Sequence, residues 1–190
     1  MRILDAERVL LRNWKEADRD LFHEINADRK VMEFFPFRRT KAESDALFDK
    51  VRGMIDDTGL GFYALADKAT DEPMGFCGLS RPNLEPQLET TGVEIGWRLA
   101  TRFWGKGYVT EAAAALIDHG FSTVGLPEIV SFAVSANRRS TAVMERLGMH
   151  RAPERDFDHP RVPDIHPQLK RHVVYVIRAD EWRARQPGKP

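Results

Sequence analysis

The period of the apolar positions changes several times along the chain, and each change marks an element. Residues 9–12 form a short apolar run that predicts a first strand, while residues 15–26 and 41–57 carry the three-to-four-residue recurrence of amphipathic helices. Residues 62–66 and 74–80 alternate or run apolar on either side of Lys68-Ala69-Thr70-Asp71-Glu72-Pro73, which predicts a hairpin. Residues 81–89, with two prolines, predict a loop. Val93, Ile95, Trp97 and Leu99 then alternate with Glu94, Gly96 and Arg98, the pattern of a strand with two unlike faces. Val109, Ala112, Ala113, Leu116, Ile117 and Gly120 follow at helical spacing, and their small size lets that helix pack close to a sheet. Residues 129–134 predict a strand, residues 140–147 a helix closed by Gly148, and residues 172–178 a late strand. The alternation implies an α/β fold with a mixed sheet, built as one domain over residues 1–190 with its core at 5–180. The tail from Arg185 to Pro190 has nothing to bury and is expected to fray. No repeat or low-complexity segment interrupts this order.

Between the central strand and the small-residue helix lies Arg102-Phe103-Trp104-Gly105-Lys106-Gly107-Tyr108, a short loop with two glycines and two cations. The first amides of a helix have no partners within it, and the aligned peptide dipoles leave partial positive charge there, so an anion can be held by backbone donors. Glycine at 105 and 107 removes Cβ atoms that would keep a pyrophosphate from those amides. A Gly-x-Gly pair alone equally marks a tight turn; the strand before it and the helix after it favour the phosphate reading. Neither better-known nucleotide loop fits. There is no Gly-x-x-x-x-Gly-Lys-Ser/Thr, and the third glycine of Gly-x-Gly-x-x-Gly would fall at Thr110.

Arg102-x-x-Gly105-x-Gly107 resembles the Arg/Gln-x-x-Gly-x-Gly/Ala signature of the GNAT superfamily of acetyl-CoA-dependent N-acetyltransferases. Three further segments agree in order: Glu94-Ile95-Gly96-Trp97, then Tyr108-Val109-Thr110-Glu111-Ala112, then Asn137-Arg138-Arg139-Ser140 followed by Val143-Met144-Glu145-Arg146-Leu147-Gly148-Met149. The opening Arg8-Val9-Leu10-Leu11-Arg12 with Ala17-Asp18 resembles the RimJ/RimL-like branch of ribosomal-protein N-terminal acetyltransferases. The resemblance covers nearly the whole chain. It implies a mostly antiparallel, twisted mixed sheet flanked by helices and splayed at the central strand. It also implies acetyl-CoA as cosubstrate and a primary amine as acceptor, either a protein N-terminus or a small molecule. Free backbone groups at Trp97, Arg98 and Leu99 would hold the pantetheine arm, the segment Arg102, Trp104, Gly105, Lys106, Gly107 and Tyr108 the pyrophosphate, and Asn137 the arm again.

Direct attack on a thioester needs a neutral amine, a donor for the oxyanion and a proton for the leaving thiolate. Glu94, on the strand face opposite Ile95 and Trp97, is the first candidate for general base, as glutamate is at a comparable place in several family members. Its alternative is an ordinary solvated charge or a partner for Arg98. Ser140 is the candidate to hydrogen-bond the leaving sulfur, as proposed in the RimL-type branch; the tyrosine many relatives use would fall near Met144, and none is there. Its alternative is a helix cap, and Asn137 could equally terminate the strand turn. Phe34 and Phe35, in the run Phe34-Phe35-Pro36-Phe37, are candidates for the acceptor pocket or for a plug under a loop, and His159 for a lid over the acceptor or an alternative base. His159, His166 and His172 match no compact zinc spacing, so no metal is expected.

Composition narrows the rest. Basic and acidic residues balance at 29 each, which leaves no electrostatic footprint for nucleic acid or membrane. The single cysteine, Cys77, excludes an internal disulfide and fits a reducing compartment as a small apolar residue on a strand. The chain opens without an apolar signal core and holds no run of about 18 apolar residues, so a cytoplasmic location is expected. Pairing into a homodimer stays open. The competing reading is an acyl-CoA-binding module without transfer, which would need neither Glu94 nor Ser140.

Overall fold

The computed structural model describes residues 1–86, 88 and 93–185. In chain order it runs β1 (Arg2–Asp5), β2 (Val9–Arg12), α1 (Arg19–Ala27), α2 (Lys41–Thr58), β3 (Gly61–Asp67), β4 (Pro73–Ser80), β5 (Val93–Leu99), α3 (Tyr108–Ser122), β6 (Glu128–Val134), α4 (Arg138–Arg146), β7 (His150–Arg151), β8 (Phe157–Asp158), β9 (Arg171–Arg178) and α5 (Ala179–Ala184). The long predicted elements are present. Those the sequence reading lacked are β1, β7, β8 and α5, too short for a period of two or of 3.6 to show. The fourth helix begins at Arg138, two residues before the predicted start. Positions 87 and 89 of the predicted loop, and 186–190 of the tail expected to fray, lie outside the described residues.

The strands form one sheet in the order β1-β2-β3-β4-β5-β6-β9-β7, with β8 also on β9. Every pairing is antiparallel except β5 with β6. That exception makes the site. β5 pairs with β4 from Ser80↔Glu94 to Gly75↔Leu99, and β6 pairs with β9 along its length, but β5 and β6 share only Val93↔Ile129 and Glu94↔Val130. Beyond Glu94 the two parallel strands diverge, and backbone groups on the facing edges lose their ladder partners.

Helices lie on both faces. α3 packs against the face carrying Leu79 and Ile129: a Cβ added to Gly120 would stand 3.0 Å from Ile129 Cδ1 and 3.4 Å from Leu79 Cδ1, which is why its inward side is small. The C-terminal end of α1 meets the opposite face, where Asn26 accepts a hydrogen bond from Arg98. Between α1, α2 and β2 the rings of Trp14, Phe22 and Phe48 pack edge to face, with Phe22 4.9 Å from Trp14 and 5.4 Å from Phe48. Leu84 and Leu88 are buried on Val130, Val174 and Val176, so these two residues of the segment predicted as a plain loop cover one face of β6 and β9.

α2 starts with a capping box. Thr40 accepts from the Glu43 amide, and the Glu43 carboxylate accepts from the Thr40 amide at 2.8 Å; the helix ends at Gly59, whose φ of 71° is left-handed. The opening segment that resembles the RimJ/RimL branch has a packing role. Arg12 donates to both oxygens of Asp18, at 2.6 and 3.1 Å, and from Nε to Asp71 at 2.6 Å, with Arg12 and Asp18 almost wholly buried.

Candidate active site

The glycine loop sits where the chain leaves β5 for α3. Gly105 and Gly107 have φ of 72° and 81°, the left-handed region that side chains with a Cβ rarely occupy, and Gly107 is the N-cap of α3. The first helical bond runs from the Glu111 amide to the Gly107 carbonyl, so the amides of Tyr108, Val109 and Thr110 precede the ladder. A Cβ on Gly105 would meet nothing within 4 Å, so the space above the loop is open. These residues fit an anionic pyrophosphate: open backbone, dipole and glycine geometry converge there.

A cleft of 1280 Å³ runs from this loop through the gap between β5 and β6 to the opposite face of β5. The strand period settles which backbone groups enter the gap. The Ile95 carbonyl accepts from Ser131 Oγ on β6 at 2.9 Å, and the Leu99 carbonyl accepts from the Trp104 indole at 2.9 Å, so both point away from β4. Trp97, midway between them, directs its N–H and C=O into the gap by the same alternation. Arg98 does not. Its carbonyl lies against β4, 2.2 Å from where a Cβ on Gly75 would stand, which corrects the expectation of a free backbone group there.

On the open face, Glu94, Gly96 and Arg98 line the cleft in succession. Gly96 leaves the floor to the ring of Phe62, 2.9 Å from where its Cβ would stand, and Phe62 packs at a tilt on Phe76, 5.0 Å between centroids. Burial pushes the Glu94 carboxyl up to about 7, against the opposing positive charge of Arg161. Glu94 is not the partner of Arg98, whose Nη1 donates to Asn26 Oδ1 at 2.6 Å.

Asn137 and Ser140 are neighbours across the first turn of α4. The cap is Asn137: its Oδ1 accepts from the Ser140 amide at 3.2 Å, while its Nδ2 donates to Ser140 Oγ at 3.2 Å. The alternative of Ser140 as the helix cap therefore does not hold, because Ser140 sits at the third helical position and Asn137 is the cap. Its hydroxyl accepts from Asn137 and keeps its own proton to donate, and both residues line the cleft.

His159 and His172 stand 4.9 Å apart between centroids, packed with Phe132 and Phe157. Burial first, then the charges of His172 and Arg161, bring His159 down to about 4, and its Nδ1 accepts from the Arg161 amide at 3.2 Å. Burial likewise lowers His172, whose Nδ1 lies 2.9 Å from the Lys170 carbonyl. Neutral at pH 7 with its free nitrogen engaged, His159 is poorly placed as a base. Among the described residues no three His, Cys, Asp or Glu side chains converge as metal ligands.

Phe35 and Phe37 line the cleft with exposed edges, while Phe34 also packs on the small cluster of Val134, Val162 and Leu169, so the run divides between pocket and plug. Trp104 lines the cleft under the guanidinium of Arg139, 4.7 Å from its ring. The side chains of Arg102 and Lys106 lie outside the cleft lining; Arg102 pairs with Glu24, and Lys106 rests over Phe103. Sequence reasoning missed Arg8 and Glu111. The Arg8 amide and Nε donate to the Glu111 carboxylate at 2.6 and 2.7 Å, and its Nη1 donates to the Lys106 carbonyl at 3.1 Å, which ties the glycine loop to the start of β2. No local pattern signals a contact between residues 103 positions apart. Also missed were Asn26, Phe132 and Arg161, for the same reason of distance in sequence.

The sequence profile described as "Acetyltransferase (GNAT) domain" matches residues 8–150, well over half of the chain. The uncharacterised N-acetyltransferase p20 of Bacillus licheniformis is 30% identical over 158 residues, 80% of this chain and 84% of that protein. An FsC-acetyl coenzyme A-N(2)-transacetylase of Aspergillus fumigatus is 28% identical over 169 residues, 86% of this chain and 71% of that one. A GNAT-family acetyltransferase of Bacillus anthracis, known from its crystal structure, superposes with a TM-score of 0.77 at 25% identity, covering 95% of this chain and 100% of that one. Profile, relatives and architecture agree with the splayed, glycine-flanked cleft, and the chain belongs to the GNAT acetyltransferase family.

Proposed function

We propose that the protein moves an acetyl group from acetyl-CoA to a primary amine, the α-amine of a protein N-terminus or an amine of a small molecule, by direct attack in a ternary complex, and that it does so as a member of the RimJ/RimL-like branch. One observation carries this reading: Glu94, with a proton affinity near neutrality, opens on the same cleft as the glycine loop. A carrier without transfer has no use for such a carboxylate. Acetyl-CoA supplies an activated acetyl whose C–S bond breaks as the N–C bond forms.

The residues then divide the work. Gly105 and Gly107 with the first amides of α3 bind the pyrophosphate, and the edge of β5 at Trp97 and Leu99, with Asn137 opposite, binds the arm. Glu94 takes a proton from the incoming ammonium, directly or through water, which is the larger task for an amine whose ordinary pKa is about 8 or 10. The Trp97 amide, fixed in the gap, donates to the charge that develops on the acyl oxygen, a contribution on the order of 3 kcal/mol. Ser140 gives its proton toward the departing sulfur and regains one from the amine as the second N–H is lost, so protons balance. The similarity to the N(2)-transacetylase of A. fumigatus supports an amine nitrogen as acceptor.

The test is release of free thiol from acetyl-CoA across an amine library. Amine-dependent release is expected, and Glu94→Gln should lower its rate by about a hundredfold with CoA affinity unchanged. No amine raising thiol release above simple hydrolysis would return the protein to the carrier reading.

A further inference from the structure

The acceptor end of the cleft holds a charge that acetyl transfer does not use. Arg98 shares the Glu94 face of β5, about 13 Å further along the backbone, with the bare Gly96 between them. Its guanidinium is stacked between Phe35, 4.4 Å from the ring centroid, and Phe76, at 5.3 Å. Its hydrogen-bond partner, Asn26 Oδ1, is neutral, and no carboxylate pairs with it among the described residues. Asn26 is itself locked, donating from Nδ2 to the Phe22 carbonyl at 2.7 Å. Burial first, then the nearby charge of Arg39, bring Arg98 down to about 10. A guanidinium held in place, desolvated and without a counter-charge gains most from an anion that a ligand brings, and most of its donors stay free for a two-pronged contact. The rest of the lining agrees in sign: Glu94 is the only carboxylate among the described residues that line the cleft, against six arginines.

Resting on the acetyl-transfer reading above, we propose that the acceptor is a small amine bearing a carboxylate, an α-amino acid with an apolar or aromatic side chain. Arg98 holds the carboxylate, the rings of Phe62 and Phe76 support the side chain, and the amine turns to Glu94. An α-amino acid carries its carboxylate one carbon from its amine, so a single small molecule brings one group suited to Glu94 and one suited to Arg98, the two charged residues that flank Gly96 on this face of the cleft. A peptide N-terminus carries no carboxylate at that distance, and a polyamine meets repulsion from the arginines.

The probes are L-phenylalanine, L-phenylalaninamide and 2-phenylethylamine, each added to the CoA-saturated protein and read by melting temperature. The acid should bind about tenfold to a hundredfold more tightly than the other two, the worth of a charge-assisted hydrogen bond. Arg98→Met should abolish that preference, while Arg98→Lys, which keeps the charge but not the fork, should retain part of it. Equal shifts for acid and amide on the unaltered protein, or an undiminished acid shift in Arg98→Met, would overturn the proposal and point to peptide N-termini. The comparison on the unaltered protein decides even if the variants do not fold. Selective binding of the acid without thiol release would instead sink the acetyl-transfer reading and leave the carboxylate site standing.

Discussion

Glu94 shows how one environment sets both chemistry and stability. Its carboxyl titrates near 7 in the fold against an ordinary value near 4, so between those pH values the folded chain binds a proton that the unfolded chain has lost. Stability therefore falls as pH rises through this window. Glu94→Gln should melt at the same temperature as the parent near pH 4 and be more stable at pH 8, by on the order of 2–3 kcal/mol. Equal melting temperatures at pH 8 would mean that the carboxyl is not destabilised by burial. In the same way the rate should rise with pH through about 7 and level off above it as Glu94 loses its proton. Ser140→Ala should leave stability nearly unchanged, since its amide still reaches Asn137, but slow turnover on acetyl-CoA more than on a thioester whose thiol has a lower pKa. Asn137→Ala should instead cost about 1 kcal/mol as a lost cap. A Ser140→Ala protein with a lowered melting temperature and parental turnover would assign Ser140 to structure.

On the proposed reading, donor binding turns on the joint between β5 and α3. Gly107→Val places a branched side chain at φ 81° without a steric clash against the core, the nearest atom to a new Cβ being Arg8 Nη2 at 3.3 Å. The fold should persist and the amide geometry should not. In the parent, CoA at a hundredfold excess over its dissociation constant should stabilise by about 2.7 kcal/mol, and most of that shift should vanish in Gly107→Val. An unchanged shift in a folded variant would refute the loop assignment. Much of this element is legible in the chain, because a strand period, two glycines and a helix period lie side by side. The Arg8–Glu111 tie that holds the loop is not legible, since its partners meet only when β2 and α3 come together.

The sheet and its flanking network act at the largest scale. Arg12, Asp18 and Asp71 bind β2 to the turn after β3, and Arg12 and Asp18 are almost wholly buried. Arg12→Met strands the Asp18 carboxylate in the interior and should cost about 3–5 kcal/mol, the penalty for one unpaired member of a buried pair. Chemical denaturation checks this, and a loss under about 1 kcal/mol would show that water reaches Asp18. The family-like opening segment was visible in the sequence, but its role as a buried ionic clasp rests on Asp71, which sits in a turn 59 positions from Arg12.

Local periodicity was enough to locate the long strands and helices, the glycine loop and the face of β5 on which Glu94 lies, because each depends on neighbours within a few residues. The short strands and α5 escaped it for want of length. Contacts over long sequence separations had to wait for the packed chain. Divergence of β5 from β6 is a matter of register between segments from different parts of the chain, and it opens the gap at Trp97, while pairing with β4 takes up the Arg98 backbone. The proton affinity of Glu94, the silence of His159 and the lack of a carboxylate partner for Arg98 among the described residues all follow from burial and from distant side chains, which composition and spacing do not encode.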